Sequence, residues 1–287
     1  MEFHDFDQLL DSRIFETQRA VISIGVFDGI HIGHQAIISA ARKEACGTPK
    51  VKTVVFTFAQ NPKMMLSSSP LTPPLLSMRQ AEELYEQLEV DIVVVIDFSP
   101  DFSKLSGEQF IERCTQIFDV QAIVVGDNFK CGYRGTTGPQ EIREYLNRAG
   151  RHIKVIVPTT YRLSDGTVDS STVVRSTIKQ GDMGIIPQLL GRYHSLDLGH
   201  IPSSIHEWPL RLPIGSFMQL LPPPGMYEGY LRLNHCSQAF SCHCCISPKD
   251  LEFSISETDQ RYIQQRMSHE SYRLDSFEFT KEKAQTC

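Results

Sequence analysis

In the first half of the chain, hydrophobic residues fall into short unbroken runs separated by amphipathic stretches. Val21-Ile22-Ser23-Ile24-Gly25-Val26-Phe27 is the first run, and Val51 to Phe58, Ile92 to Ile96, Ala122 to Val125 and Ile153 to Val157 follow. A strand with one wet face alternates polar and apolar residues, whereas a run without alternation is buried on both faces. The stretches between the runs have helical spacing. Residues 33–46 set Ala36, Ile37, Ala40 and Ala41 on one side, and Met78 to Leu88 carries a Glu-rich polar face. Ser106 opens a helix to about Phe118 with Ser-Gly-Glu-Gln, which resembles a capping box. Pro139 to Ala149 has proline in its first turn. Buried strands alternating with helices predict an α/β fold with a doubly wound, parallel five-stranded sheet. Ligands of such sheets bind beyond the carboxyl ends of the strands, where the strand order reverses. The loops after Phe27, Phe58 and Gly126 are therefore where chemistry is expected.

The pattern changes near Arg192. From there to Gly225 prolines punctuate the chain at Pro202, Pro209, Pro213 and Pro222-Pro223-Pro224, with no long helical period. Phe217 to Leu221, Tyr227 to Leu233 and Leu251 to Ile255 read as short strands, and Asp259 to Met267 as a helix. Residues 1–192 and 193–287 are thus expected to form two domains, the second small and mainly β.

Composition narrows the class. With 41% hydrophobic and 22% charged residues, the chain reads as a soluble globular protein. A net charge of −6 argues against a broad nucleic-acid surface, which needs a basic face. No apolar run has the length of a membrane span. Met1 to Leu10 is acidic and does not read as a signal peptide, so a cytoplasmic location is expected. Of the eight cysteines, Cys236, Cys242, Cys244, Cys245 and Cys287 crowd the last fifth. Cys-x-Cys-Cys is not a usual zinc spacing. On a strand, Cys242 and Cys244 face one side and His243 and Cys245 the other, so core-lining thiols are expected rather than a metal site.

Three motifs carry candidate chemistry. Gly25-Val26-Phe27-Asp28-Gly29-Ile30-His31-Ile32-Gly33-His34 ends a strand and opens a helix. Unpaired N–H groups at a helix start bind phosphate, and Gly29 and Gly33 let backbone come close to a ligand. His31 and His34, three apart, can face one site and donate to phosphate oxygens. The second motif is Ser170-Ser171-Thr172-Val173-Val174-Arg175, with Ser171 or Thr172 expected as the N-cap and Arg175 one turn in. The third is Gly126-Asp127-Asn128-Phe129-Lys130-Cys131-Gly132, with Gly135 and Gly138 beyond, a glycine-rich loop after a buried strand.

In this order and spacing, the three motifs resemble the adenylyltransferase module of bacterial FAD synthetases over about residues 15 to 192. The resemblance takes in Phe56-Thr57-Phe58 with Asn61-Pro62, where many members carry His-Pro, and Leu189-Leu190-Gly191-Arg192. His-x-Gly-His alone marks the wider nucleotidyltransferase superfamily. The glycine-rich loop and Gly25-x-Phe27-Asp28-Gly29 narrow it. The resemblance implies that the FMN phosphate attacks the α-phosphorus of ATP, giving FAD and pyrophosphate. It implies that His31, His34 and Arg175 are catalytic, and that Gly25, Phe27, Asp28, Gly29, Gly33, Ser171 and Thr172 join them in binding ATP. It places FMN against Asn61, Pro62, Asp127, Asn128, Phe129 and Gly132, with Asn128 near Mg²⁺.

The family usually adds a riboflavin kinase barrel with a Pro-Thr-Ala-Asn motif. None lies between Tyr193 and Arg211, and the first threonine after Thr177 is Thr258. Pro222 to Tyr227 resembles the kinase's Pro-x-x-Gly-Val-Tyr, and Leu251-Glu252-Phe253 weakly resembles its base-bearing strand. The expectation is a shortened, degenerate kinase-like barrel without kinase activity. Three alternatives stand beside it: a bifunctional kinase–adenylyltransferase, a superfamily member with another acceptor, and a flavin- or nucleotide-binding regulator without catalysis.

Overall fold

A computed structural model describes residues 1–48, 50–59, 72–163, 166–201, 208–267 and 273–280. The chain divides into two compact units. One comprises Met1–Leu71 and Glu82–Val168, the other Thr72–Ala81 and Asp169–Cys287.

The first unit begins with β1 (Glu2–Asp5), α1 (Phe6–Ser12), β2 (Arg19–Ile24), α2 (Ile32–Cys46) and β3 (Lys52–Phe58). Helix α3 (Met78–Gln87) contributes its C-terminal half. Then come β4 (Ile92–Ile96), α4 (Gly107–Ile117), β5 (Asp119–Val124), α5 (Pro139–Arg148) and β6 (Lys154–Ile156). The strands form one sheet in the order β1-β4-β3-β2-β5-β6, parallel throughout. The five expected strands are all present, but the sheet has six. The added strand is β1, where Phe3 pairs with Val93 at the sheet edge. Its sequence Glu-Phe-His-Asp lacks an apolar run because an edge strand is only half covered.

Period-two geometry sends neighbouring β2 residues to opposite faces. Ala20, Ile22 and Ile24 meet Phe56, Phe110, Ile111, Ile142 and Leu146 in the larger core. Val21 packs with Ala122, Val124, Ala41 and Ala45 on the side of α2, where small alanines let the helix lie close. The capping box that opens α4 forms as expected. Ser106 Oγ accepts from Gln109 N at 3.1 Å, and Ser106 N donates to Gln109 Oε1 at 2.9 Å. The order reverses at β2 and β5, and the loops leaving these two strands carry the first and third motifs.

Among its described residues the second unit holds α6 (Ser171–Gln180), α7 (Ile186–Leu190), α8 (Glu257–Met267) and six strands: β7 (Ser195–Asp197), β8 (Leu210–Pro213), β9 (Gly225–Leu233), β10 (Ala239–Ile246), β11 (Asp250–Ser254) and β12 (Leu274–Phe279). They form an antiparallel sheet in the order β7-β12-β9-β10-β11-β8. Its buried face carries Tyr227, Phe253, Phe277 and Phe279, with Phe277 and Phe279 edge-on at 4.9 Å. Phe217 to Leu221, read from sequence as a strand, is not one. Gln219 Oε1 accepts from Asp197 N at 2.7 Å and Leu220 N donates to Pro74 O at 2.8 Å, so these bonds replace a ladder. On β10, Cys242 and Cys244 are buried and His243 is exposed, as the alternation predicts. Burial pushes the Cys242 thiol up to about 12. Among the described residues, no three His, Cys, Asp or Glu side chains converge as a metal site.

Candidate active site

The chain leaving β2 is folded back on itself before α2 begins. A Cβ on Gly25 would stand 3.0 Å from Phe27 Cζ, so the Phe27 ring lies over the glycine. Ile30 N donates to Phe27 O at 3.1 Å, closing a turn in which Gly29 (φ 83°) and Ile30 (φ 37°) are left-handed. Glycine takes that conformation without cost. A fully buried, β-branched Ile30 does not, and such strain is held only where the surroundings fix it. Gln35 Nε2 fastens the turn by donating to Ile30 O at 2.9 Å.

His31 then occupies the N-cap of α2 in extended conformation, with no capping bond from its side chain. His34 lies one turn on. The two imidazoles stack with centroids 3.6 Å apart and planes 28° apart, and Phe27 meets His34 edge-on at 5.2 Å. Nδ1 of His34 is enclosed and makes no hydrogen bond. Burial, and then the proximity of His31, hold the His34 pKa well below the ordinary imidazole range. The ring is therefore neutral at pH 7, one nitrogen a donor and the other an acceptor. A 15-residue helix aims its N-terminus at the same place, and that end attracts anions.

The loop after β5 lies alongside. A Cβ on Gly126 would touch Ile37 Cδ1 of α2 at 3.3 Å, so this loop and the His34 helix are neighbours. Asp127 and Asn128 are exposed, and Thr160 Oγ1 donates to Asp127 Oδ2 at 2.6 Å. Phe129 is partly buried against the larger core. Gly132 has φ 74°. Asn61 and Pro62 lie outside the described residues.

Sequence reasoning did not single out Tyr85, and it took Thr57 only as part of Phe56-Thr57-Phe58. Tyr85 is buried on α3. Its hydroxyl shares a hydrogen bond with the Thr57 side chain at the end of β3 and lies within electrostatic reach of Asp28. Burial raises the Tyr85 pKa well above its ordinary range, so it remains a neutral phenol. In sequence it is one aromatic on an amphipathic helix, which reads as core.

In the second unit the hydroxyl run corrects an expectation. The N-cap of α6 is Ser170, whose Oγ accepts from Val173 N at 3.3 Å, and not Ser171 or Thr172. Ser170 is extended (φ −156°), which leaves Ser171 and Thr172 as the first two helical residues. Arg175 follows within the next turn, and its Nη1 donates to Pro73 O at 2.6 Å.

Fold and motif together define the class: a doubly wound α/β protein with a histidine-bearing strand–loop–helix at its switch point, followed by an antiparallel β unit. A family model described as FAD synthetase matches residues 14–172. The chain belongs to the FAD synthetase family. The bifunctional riboflavin kinase/FMN adenylyltransferase of Listeria monocytogenes is 33% identical over 176 residues, 60% of this chain and 53% of the relative. The protein of the same description from Bacillus subtilis is 23% identical over 274 residues, 93% of this chain and 81% of the relative. The chain spans about half the length of several such relatives, 53% and 56% for those of Listeria and Buchnera aphidicola. A solved structure described as a macrolide-efflux protein from Streptococcus pneumoniae superposes with a TM-score of 0.74 at 20% identity, covering 94% of this chain and 87% of its own. At that identity the likeness is one of fold.

Proposed function

We propose that this chain is an FMN adenylyltransferase that transfers AMP from ATP to FMN. The observation that carries the reading is the stacked His31–His34 pair at the N-terminus of α2, within a chain of the FAD synthetase family. A phosphate oxygen of FMN forms a bond to the α-phosphorus as the bond to pyrophosphate breaks. No protein nucleophile is required, and catalysis rests on positioning and on stabilising charge. His31 and His34 donate hydrogen bonds to ATP phosphate oxygens, with the α2 N-terminus behind them. Gly25, Phe27, Asp28, Gly29 and Gly33 shape the turn around the nucleotide. Ser171, Thr172 and Arg175 bind phosphate. Asp127, Asn128, Phe129 and Gly132 receive FMN, together with Asn61 and Pro62.

The donor set suits Mg²⁺ as a partner of the substrates. Mg²⁺ is commonly held by one or two protein oxygens plus substrate phosphates, and Asn128 supplies an exposed oxygen beside Gly126. When bound, the ion neutralises charge developing on the phosphates. The proposed catalytic module is residues 1–192, and 193–287 form a shortened kinase-like unit. The reaction requires neither nucleic acid nor membrane, and we assign it to the cytoplasm; no helix among the described residues is long and apolar enough to cross a membrane.

The test is direct. With FMN, ATP and Mg²⁺, FAD and pyrophosphate form in equal amounts. His34→Ala keeps the fold and lowers kcat/KM by about a hundredfold or more, the usual cost of losing one charge-stabilising donor. Near-normal turnover in that variant removes His34 from the mechanism, and tight binding of FMN and ATP without product favours a regulator. A second reading, the bifunctional enzyme, is favoured by the alignment with the Bacillus subtilis relative, which runs through 93% of the chain.

A further inference from the structure

The glycine-rich loop after β5 is fastened to a place that its own sequence does not reveal. Gly107, the first helical residue of α4, has no space for a side chain. A Cβ there would stand 2.1 Å from Thr137 Oγ1, 2.3 Å from Thr137 Cβ and 2.5 Å from Thr137 Cγ2. On its other side, a Cβ on Gly132 would stand 2.2 Å from Gly107 N and 2.7 Å from Gly107 Cα. Two loop residues thus close onto the bare backbone of one glycine. Real Cβ atoms do not approach other heavy atoms so closely, so an added methyl must push the loop away.

Backbone bonds confirm that this is a fastening. Tyr133 N donates to Leu105 O at 2.7 Å, just before the α4 cap. Cys131 and Thr137 exchange N–H···O bonds of 2.8 and 3.1 Å, which close the loop into a ring. Gly138 N donates to Glu141 Oε2 at 2.7 Å, and Gly135 N to Gly132 O at 2.8 Å. From Cys131 to Gly138 the loop is a tied element. Asp127 and Asn128, just upstream, are exposed.

We propose that Gly107 is a positioning residue for the flavin acceptor: it seats the 126–138 loop so that Asp127, Asn128 and Phe129 are presented in one conformation. The proposal rests on the reading of this loop as the FMN side of the site. Gly107 touches no substrate and acts through Gly132 and Thr137. It sets acceptor binding while leaving the His31–His34 side unchanged.

The test combines kinetics with a probe that needs no substrate. Lys130 and Arg134 are exposed trypsin sites within the loop. Gly107→Ala is expected to raise trypsin cleavage at Arg134 and the KM for FMN tenfold or more, with the KM for ATP within twofold of wild type. Thr137→Gly removes all three clashing atoms. The double variant Gly107→Ala/Thr137→Gly should therefore return both quantities to within threefold of Thr137→Gly alone, a coupling that only direct contact produces. Wild-type cleavage and FMN KM in Gly107→Ala, equal losses for both substrates, or no rescue in the double variant would overturn the proposal. If Gly107→Ala alone does not fold, the double variant must fold, and its failure also overturns the idea. A wild-type protein that makes no FAD from FMN would defeat the proposed function, yet the cleavage series would still decide whether Gly107 seats the loop.

Discussion

At the scale of single residues, protonation decides what the buried histidines do. His34 is held neutral by burial and by His31, so the hydrogen bond proposed from it to ATP comes from an uncharged ring. The pH dependence of kcat/KM for ATP reports groups of the free enzyme. With the His34 pKa lowered well below 6.5, that profile should show no limb from this ring between pH 6.5 and 8.5. A limb in that range that vanishes in His34→Gln would show that the ring is charged in the free enzyme. His194, in the second unit, gives a stability prediction instead. Its Nε2 lies 3.0 Å from Leu220 O, which can only accept, so that nitrogen carries the proton. Burial brings its pKa down from 6.5 to about 4. The unfolded chain therefore binds more protons between these values, and stability rises with pH across the window. The contribution is complete above pH 6.5 and is lost as pH falls toward 4, a difference of about 3 kcal/mol. Urea unfolding at pH 7 and pH 4 should show that loss, and His194→Gln should remove most of it. His31 and His34 were legible in the sequence because a spacing of three on a helix start is a local fact. Gly107 and Tyr85 were not, because what singles them out is what the fold brings against them.

At the scale of elements, legibility followed burial. The central strands β2 to β5 announce themselves as β-branched runs, since both faces must be apolar. Strands β1, β7 and β8 lie at sheet edges and are short, so half their positions are free to be polar. Strand β10 was hidden by chemistry: Ala-Phe-Ser-Cys-His-Cys-Cys-Ile reads first as a cluster of metal-ligating residue types, and only afterwards as an alternating strand. The start of α6 shows how one hydroxyl run divides between two tasks. Ser170 caps the helix, whereas Ser171 is proposed to bind phosphate. Ser170→Ala should therefore cost about 1 kcal/mol of stability, the usual value of an N-cap. Ser171→Ala leaves the Ser170 cap bond in place and should therefore cost less stability than Ser170→Ala while raising the KM for ATP. Thermal unfolding beside ATP kinetics separates them, and a reversed pattern would return the cap to Ser171.

At the scale of the whole molecule, the question is how many reactions one chain performs. FAD formation by direct displacement needs a phosphate oxygen on the flavin as nucleophile. FMN has that oxygen and riboflavin does not. A chain with only the His31–His34 site must take its flavin already phosphorylated, whereas a chain with a kinase site accepts riboflavin. The second unit has the antiparallel strands, and the alignment with the Bacillus subtilis relative covers 93% of the chain. Between Thr177 and Thr258 it has no threonine to play the part that the kinase motif assigns to one. On the proposed reading, fold and site separate here, since function is carried by a few side chains on a shared scaffold. Incubation with riboflavin, ATP and Mg²⁺ should give neither FMN nor FAD. Adding a separate riboflavin kinase to the same mixture should restore FAD at the rate seen with FMN. FAD from riboflavin without that addition would mean that the second unit phosphorylates flavin with residues other than the family's threonine, and the sheet β7–β12 would then be the place to find them.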